Sequence, residues 1–325
     1  MKKRLLSMLL LCVLVFSMAG CNNKDTTKDK LTINIASLKG PTSIGLAKLY
    51  TDSDLDSTSN KYNYNIYGAA DEITAGLNKG EIDIAAIPCN LASVLYNKTE
   101  GEILIAGINT LGVLYVVTKN CDINSISDLE GKTIFSTGQG TTPEYSLNHI
   151  VTQNGLDPAK DMTIQYYSET TEIAAAFGSM DEVIAVLPEP FVTSVINSNP
   201  DAKVSLSLTK EWEKVNADSA FVTGVIVVRK EFANKHPDAV ENFLKEYKDS
   251  VEFANTDIDT CAQYLEKLDI MKAAVAKKAI PNCNVVLITG EDMESRVLSY
   301  LKVLHSANPQ SVGGTLPDSS IFYKN

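Results

Sequence analysis

The chain has 325 residues, of which 44% are hydrophobic, and this is enough to fill one large domain or two medium ones. It carries 40 Asp and Glu residues against 29 Lys and Arg, a formal net charge of −11. Because binding to nucleic acid needs a basic surface, this acidic balance argues against nucleic acid as a partner.

The first residues have the order of a secretory signal. Basic residues at positions 2–4 precede an apolar run from Leu5 to Phe16, which is too short for a typical membrane span. The segment Ala19-Gly20-Cys21 resembles a bacterial lipobox, although Met18 stands where Leu is usual. The resemblance implies cleavage before Cys21 and a lipid on its thiol. The alternative is a plain secretory signal with a chance cysteine.

Asn22 to Lys30 is polar throughout and indicates a flexible tether. A lipid at its start would anchor the protein to a membrane surface without spanning it. Beyond the signal, Cys89, Cys121, Cys261 and Cys283 match no zinc-binding spacing. A bridge between Cys261 and Cys283 stays open, but burial as small apolar side chains is the favoured interpretation.

Hydrophobic periodicity predicts a first series of alternating strands and helices. The predicted strands are Leu31–Ala36, Tyr62–Tyr67, Ile82–Ile87, Ile103–Ile108 and Val113–Thr118. Helices are predicted at Ile44–Tyr50, Ala70–Asn78 and Leu91–Tyr96. The third strand is apolar apart from Asp83, so we expect it near the centre of a parallel sheet.

A second series follows a connector at Asp122–Asp128. Its predicted strands are Thr133–Phe135, Met162–Tyr167, Val183–Leu187 and Lys203–Leu208, with helices beginning near Glu144, Thr170 and Glu189. A Val- and Ile-rich strand, Phe221–Val228, then returns. The rest is predicted to be almost all helix, with one helix that begins at Pro237. This alternation predicts an α/β fold with parallel sheets, in two lobes separated by a ligand cleft. The chain is expected to cross between the lobes near 118–120 and 223–224.

The segment Thr137–Leu147 is the strongest candidate for a ligand-binding turn. Gly138 and Gly140 permit a sharp bend, Thr141 or Thr142 is suited to cap the helix, and Pro143 suits its first position. Open α/β sheets bind ligands at such turns, where helix amides have no internal partner. An ordinary tight turn is the alternative. The ligand-binding interpretation is favoured because a similar turn between a strand and a helix recurs at Lys39–Ser43.

Two further turns, Pro88-Cys89-Asn90 and Pro188-Glu189-Pro190-Phe191, mirror each other. The candidate ligand-binding residues of the four turns are Pro41, Thr42, Ser43, Cys89, Asn90, Gln139, Gly140, Thr141, Thr142, Glu144, Tyr145, Glu189 and Phe191. Simple helix capping is the alternative for Thr42 and Ser43. Cys89 is either an activated thiolate or, more simply, a small residue in the cleft wall. Trp212 suits a ligand stack or a surface-loop anchor.

These stretches together resemble a known family. They are Lys39–Ala47, Gly80–Pro88, Asp128–Ile134, Thr137–Tyr145, Leu187–Phe191 and Val228–Phe232. In this order they resemble the type II periplasmic-binding-protein fold, in the nitrate/sulfonate/taurine and thiamine-precursor class of ABC-transporter substrate-binding lipoproteins. The resemblance covers roughly Leu31 to His305 and implies the same four cleft turns.

The resemblance implies a signal peptide at 1–20, a lipidated tether at 21–30, a first lobe at 31–118 and 223–325, and a second lobe at 119–222. It implies a monomeric protein at the extracytoplasmic face of the membrane. Such a protein delivers a small organic solute to the permease and ATPase of an ABC importer, with no catalytic residue, metal or cofactor. Two alternatives remain: an enzyme on this fold, like a pyrimidine synthase or a dehydratase, or a sensor lipoprotein without a transporter.

The solute class is predicted from Glu144 and Glu189, which both fall in the first turn of a helix at a cleft turn. Such carboxylates repel a bare anion, so a neutral, zwitterionic or amine-bearing solute is expected, such as a taurine-like compound or an aminopyrimidine. The alternative is that each carboxylate only stabilises its own helix N-terminus.

Overall fold

A computed structural model describes residues 30–324. The predicted signal peptide, Cys21 and the predicted tether up to residue 29 lie outside the described residues. From Thr32 onward the chain contains two β-sheets within a single unit. Among the described residues, the structure contains no helix that is long and apolar enough to span a membrane.

The first sheet has six strands in the spatial order β11-β4-β10-β3-β1-β2. They are β1 (Thr32–Leu38), β2 (Lys61–Tyr67), β3 (Ile84–Pro88), β4 (Ile103–Leu111), β10 (Val222–Arg229) and β11 (Val285–Ile288). Strand β1 is parallel to β2 and β3, whereas β10 is antiparallel to β3 and β4. The sheet is therefore mixed, not purely parallel as predicted, because the returning strand β10 starts at the edge where β3 ends.

The second sheet has five strands in the order β7-β6-β8-β5-β9. They are β5 (Leu114–Lys119), β6 (Thr133–Thr137), β7 (Thr163–Tyr167), β8 (Val183–Pro188) and β9 (Ala202–Ser207). Strand β6 is parallel to β7 and β8, and β5 is antiparallel to β8 and β9. The five strands take the places of β2, β1, β3, β10 and β4, so the second sheet repeats the first.

The repeat is visible in the sequence order of elements and in their burial. When residues 61–100 are laid on residues 161–200, strands, helices and buried positions nearly coincide. We refer to each sheet with its flanking helices as the first and the second lobe.

The helices of the first lobe before the crossing are α1 (Pro41–Ile44), α2 (Ala47–Asp54), α3 (Ala70–Lys79) and α4 (Cys89–Lys98). Those of the second lobe are α5 (Thr142–Gln153), α6 (Thr170–Ser179), α7 (Phe191–Ser198) and α8 (Leu208–Val215). After β10 come α9 (Lys230–Lys235), α10 (Pro237–Thr256), α11 (Ile258–Lys267), α12 (Ala273–Ala279) and α13 (Gly290–Ala307). The long helix α10 begins at Pro237 as predicted and buries Val240, Phe243, Tyr247 and Val251 against the first lobe.

The two lobes share one apolar core. It includes Ile105 of β4 in the first lobe, Leu147 of α5 in the second, and Tyr300 of α13, which lies between them. A second cluster, around Phe135 and Phe177, fills the far face of the second sheet. The lobes are therefore packed together in this structure and not merely linked.

Three predictions about the elements need correction. Residues 114–118, assigned from the sequence to the first lobe, pair with β8 and β9, so the first crossing lies at Gly112-Val113 and not near 118–120. The second crossing precedes Val222 instead of falling at 223–224. Sequence periodicity also missed strand β11 and helix α8, because both are short and their apolar residues contact distant parts of the chain.

Candidate functional site

The candidate site lies where the parallel strands of both sheets end. Strands β1, β2 and β3 end at one edge of the first sheet, and β6, β7 and β8 end at the corresponding edge of the second. A turn and a helix follow each of these strands. All four turns predicted from the sequence are therefore strand-end turns, which is the position where open α/β sheets bind ligands.

The turn before α1 is stabilised by hydrogen bonds from its own side chains to its own backbone. The hydroxyl of Ser43, which is fully buried, donates to the carbonyl oxygen of Leu38 at 2.6 Å, and the Thr42 hydroxyl donates to the same oxygen at 3.1 Å. Neither hydroxyl caps the helix. The capping alternative is therefore wrong for these two side chains, and their hydroxyls stabilise the turn from within. Pro41 is half-buried at the first position of α1.

Cys89 and Asn90 begin α4 and are both fully buried. Burial raises the pKa of the Cys89 thiol well above its ordinary value, so the activated-thiolate interpretation is not supported. Asn90 connects three parts of the molecule. Its Oδ1 accepts a hydrogen bond from the Thr142 hydroxyl of the second lobe at 3.1 Å, and its Nδ2 donates to the Ser311 carbonyl oxygen at 3.1 Å.

The turn before α5 has the predicted backbone but not the predicted side-chain cap. Gly138 and Gly140 have φ values of 73° and 75°, a conformation that favours glycine. The Thr141 hydroxyl donates to the Gly138 carbonyl oxygen at 2.7 Å, and no side-chain hydroxyl caps the helix. Glu144 Oε2 accepts from the Gly140 amide at 2.6 Å, so this carboxylate binds the turn that precedes the helix.

The other predicted members of this turn differ in exposure. Gln139 and Gly140 are exposed, whereas Tyr145 is half-buried. Partial burial and the neighbouring charge of Glu144 raise the pKa of the Tyr145 hydroxyl, which therefore stays protonated at neutral pH. The exposed backbone of residues 139–140 is the part of this turn that a solute can reach.

Glu189 lies at the end of β8 with 3% of its surface exposed. Its two carboxylate oxygens accept from the Thr193 amide at 3.1 Å and the Thr193 hydroxyl at 3.0 Å. Desolvation raises the pKa of this carboxyl, and the two hydrogen bonds only partly offset the effect. Phe191 begins α7 and is half-buried. The Glu189 carboxylate is therefore bonded to the N-terminus of its own helix, and the Glu144 carboxylate to the turn before its helix.

The structure adds cleft residues that sequence reasoning missed, at the ends of β2 and β7. Tyr67-Gly68 and Tyr167-Ser168 occupy equivalent places in the two lobes. The Glu169 carboxylate lies 3.8 Å from the place where a side chain at Gly68 would begin, so these turns face each other across the cleft. The sequence did contain a signal for these cleft residues, because β2 and β7 each end in a tyrosine that is followed by small or polar residues.

The charges at the cleft differ between the lobes. Glu144, Glu169 and Glu189 lie at turns of the second lobe. In the first lobe the first turns of α1 and α4 contain no acidic residue, whereas the first turn of α3 contains Asp71 and Glu72. Arg229 is placed at the opposite end of β10. It forms a half-buried ion pair with Asp83 at 2.8 Å.

Trp212 contributes to the core and not to the cleft. It is fully buried in α8, its ring stacks on Phe221 at 5.1 Å, and its Nε1 donates to the Ser219 carbonyl oxygen at 2.8 Å. Both interpretations considered for it, ligand stack and surface anchor, are therefore wrong. Cys261 and Cys283 are free and buried, as favoured from the sequence. Within residues 30–324, no group of His, Cys, Asp and Glu is arranged to hold a metal ion.

Comparison with solved structures agrees with this geometry. The chain is similar to an ABC transporter protein from Parabacteroides distasonis, with 23% identity, a TM-score of 0.74, and coverage of 91% of this chain and 99% of that one. The fold is that of the two-lobed periplasmic-binding proteins. The aliphatic sulphonate binding protein SsuA from Escherichia coli shows the same fold at 14% identity, with a TM-score of 0.72 and coverage of 90% and 92%.

The nitrate-binding protein NrtA from Synechocystis PCC 6803 is more distant, at 11% identity and a TM-score of 0.62, covering 87% of this chain and 84% of that one. The family model described as NMT1/THI5 like matches residues 103–259, just under half of the chain. No curated protein sequence matches. These findings confirm the resemblance and the fold predicted from the sequence.

Proposed function

We propose that this protein is an extracytoplasmic solute-binding lipoprotein that delivers a small organic solute to an ABC importer. The observation that carries the proposal is the convergence of equivalent strand-end turns from two repeated lobes, with Asn90 and Thr142 in direct contact across them. The similar proteins named above support it, since two are named for solute binding and one for an ABC transporter. Closure of the lobes around the solute is the mechanism.

The proposed anchor is the part of the chain before residue 30. Cleavage before Cys21 would leave a lipidated cysteine, a tether at 21–30, and a monomeric binding domain facing away from the cytoplasm. A permease and an ATPase subunit are the proposed partners. Replacing Cys21 with Ser should release or misprocess the protein, as measured by fractionation and mass spectrometry of its N-terminus. Unchanged membrane retention would contradict the lipid anchor.

The proposed solute carries an amine or a ring nitrogen. Glu144 and Glu189 present negative charge at two turns of the second lobe, and a bare anion approaching them would be repelled. At ~4 Å and an effective dielectric near ~20, each repulsion costs about 4 kcal/mol. Their bonds to Gly140 and Thr193 leave the carboxylate charge in place and occupy one turn amide and one helix amide that an anion would otherwise use.

The same asymmetry gives the solute an orientation. We place its polar or acidic end against α1 and α4, where the first turns contain no acidic residue, and its nitrogen toward the second lobe. The half-buried rings of Tyr145 and Phe191 are suited to contact an apolar or planar body between these ends. Taurine-like compounds and aminopyrimidines meet these requirements, whereas nitrate does not.

Calorimetry with nitrate, an alkylsulfonate, taurine and an aminopyrimidine tests this proposal. We expect a nitrogen-bearing compound to bind most tightly, and Glu144→Gln or Glu189→Gln to weaken its binding by tenfold or more. Glu213→Gln removes a charge from an exposed position of α8 and serves as the matched control. Tight binding of nitrate or a plain alkylsulfonate that neither cleft variant alters would contradict the proposed solute class.

A further inference from the structure

Strand β4 is irregular at the end that borders the cleft. In its pairing with β10, Ile108 faces Val225 and Thr110 faces Gly224, so Asn109 has no partner on the neighbouring strand. An unpaired residue of this kind forms a β-bulge, which redirects a side chain and is frequent next to functional sites. The polar pair Asn109-Thr110 also interrupts an otherwise apolar strand.

The second lobe shows that the repeated fold does not require this feature. Strand β9 takes the place of β4, and it ends at Ser207, the position equivalent to Ile108. Beyond that point β9 gives way to helix α8, whereas β4 continues through Asn109 to Leu111. A second bulge, two pairs further from the cleft in β4, occurs in both lobes at Ala106 and Ser205. Of these two bulges, the one at Asn109 is specific to the first lobe.

The redirected side chain of Asn109 contacts the turn at residues 40–43. Asn109 is 1% exposed, and its Nδ2 donates to the Thr42 carbonyl oxygen at 3.2 Å. Its Oδ1 accepts from the Thr110 hydroxyl at 3.1 Å, which fixes the orientation of the amide. A side chain at Gly224 would begin 2.5 Å from this Oδ1, so the amide occupies space that only glycine leaves open.

This contact determines how the turn is held. The hydroxyls of Thr42 and Ser43 bond back to Leu38 and so define the shape of the turn, but they do not fix its position relative to β4. The bond from Asn109 does so, because it joins the turn after β1 to β4, a strand three places away in the sheet. The Thr42 carbonyl and the Ser43 amide belong to the same planar peptide group. Fixing the carbonyl therefore also fixes the direction of the amide.

We infer that Asn109, seated against Gly224, is a positioning residue for solute binding: its side-chain amide holds the turn at residues 40–43 in the conformation that lines the cleft. The inference rests on the proposed function and extends it to residues that do not contact the solute.

Hydrogen exchange of the solute-free protein tests whether Asn109 holds the turn at residues 40–43. Asn109→Ala should raise exchange in a peptide covering residues 38–46 by about fivefold, the effect of losing one buried hydrogen bond, and leave distant peptides unchanged. Asn109→Asp, which has the same shape but no donor toward Thr42, should do the same. Ser205→Ala, at the bulge away from the cleft, is the control and should leave this peptide unchanged. Unaltered exchange at 38–46, or a uniform rise throughout the chain, would overturn the inference.

Calorimetry with taurine and 4-amino-5-hydroxymethyl-2-methylpyrimidine as probes tests whether this positioning affects solute binding. Asn109→Ala and Gly224→Ala should each weaken binding by about tenfold, and the double variant should be no weaker than the poorer single, because both act through one contact. Unchanged affinity per folded molecule in both single variants would show that Asn109 is merely structural. If the wild-type protein binds neither probe, the solute proposal fails for those compounds and the exchange result alone decides the positioning role.

Discussion

The hydrogen bond from Thr142 to Asn90 gives a direct measure of how the lobes engage. Both side chains are almost completely buried, and the Thr142 hydroxyl lies 3.1 Å from Asn90 Oδ1. Thr142→Val keeps the shape of the side chain but removes the donor, so Asn90 Oδ1 loses this partner in a buried site. We expect a loss of about 1–2 kcal/mol in the free energy of unfolding. Thr142→Ser keeps the hydroxyl and should cost much less.

A double-mutant cycle with Asn90→Ala isolates this bond from other effects of each change. Urea unfolding followed by circular dichroism and by Trp212 fluorescence should give a coupling energy of about 1 kcal/mol between the two positions. Since ~1.4 kcal/mol corresponds to a tenfold change in equilibrium, Thr142→Val should also weaken solute binding several-fold through loss of the closed form. A coupling energy below ~0.3 kcal/mol would refute the reasoning, because the two lobes would then not depend on this contact.

Asp83→Asn should lower the free energy of unfolding by about 2–3 kcal/mol in urea, because Arg229 then loses the buried partner 2.8 Å away, and solute binding should not change. Trp212→Phe should cost a similar ~2–3 kcal/mol by the same measurement and leave solute affinity unaltered by calorimetry, since the indole packs on Phe221 inside the core. Burial raises the pKa of Glu189, so the folded protein retains that proton to higher pH than the unfolded chain. The stability of wild type minus that of Glu189→Gln should therefore be greatest below the unfolded pKa and decrease as pH rises through the folded pKa, as measured by urea unfolding across this range.

Each of these three predictions has its own control or contrary result. Arg296→Ala breaks an exposed ion pair and should cost less than ~1 kcal/mol, against which Asp83→Asn is compared. A folded Trp212→Phe protein that no longer binds solute would contradict the placement of the indole in the core. A stability difference for Glu189→Gln that grows with pH would show that the carboxylate is stabilised, not penalised, by its site.

Most of the fold could be predicted from the sequence because it depends on local patterns. The apolar run at Ile84–Ile87 and the alternating strands indicated an α/β fold, and Pro237 marked the start of the long C-terminal helix. The mixed direction of the sheets could not be predicted in this way. Strands β5 and β10 cross between lobes, and the direction of a crossing strand depends on its distant partners. Helix α8 was missed for the same reason, since its apolar face is defined by contacts with Phe221 and Tyr300.

The candidate site was predictable in position but not in detail. Glycines at 138 and 140 and the repeated turns located the strand ends, because turn chemistry is local. The sequence did not show that Glu144 bonds to the turn before its helix and Glu189 to its own helix, or that the hydroxyls of Thr42 and Ser43 bond back to Leu38. Nor did it reveal the role of Asn109, which depends on a bulge between strands more than one hundred residues apart.

The central claim is that the cleft holds a small nitrogen-bearing organic solute, and mass spectrometry of compounds released by denaturing the purified protein tests it most directly. The protein would be prepared from its native membrane without exposure to denaturant, so that a bound solute is retained. We predict the release of one low-mass compound with an amine or ring nitrogen, at close to one molecule per chain. Stoichiometric release of nitrate or another inorganic anion, or of a chemically altered product after incubation with the captured compound, would contradict the account.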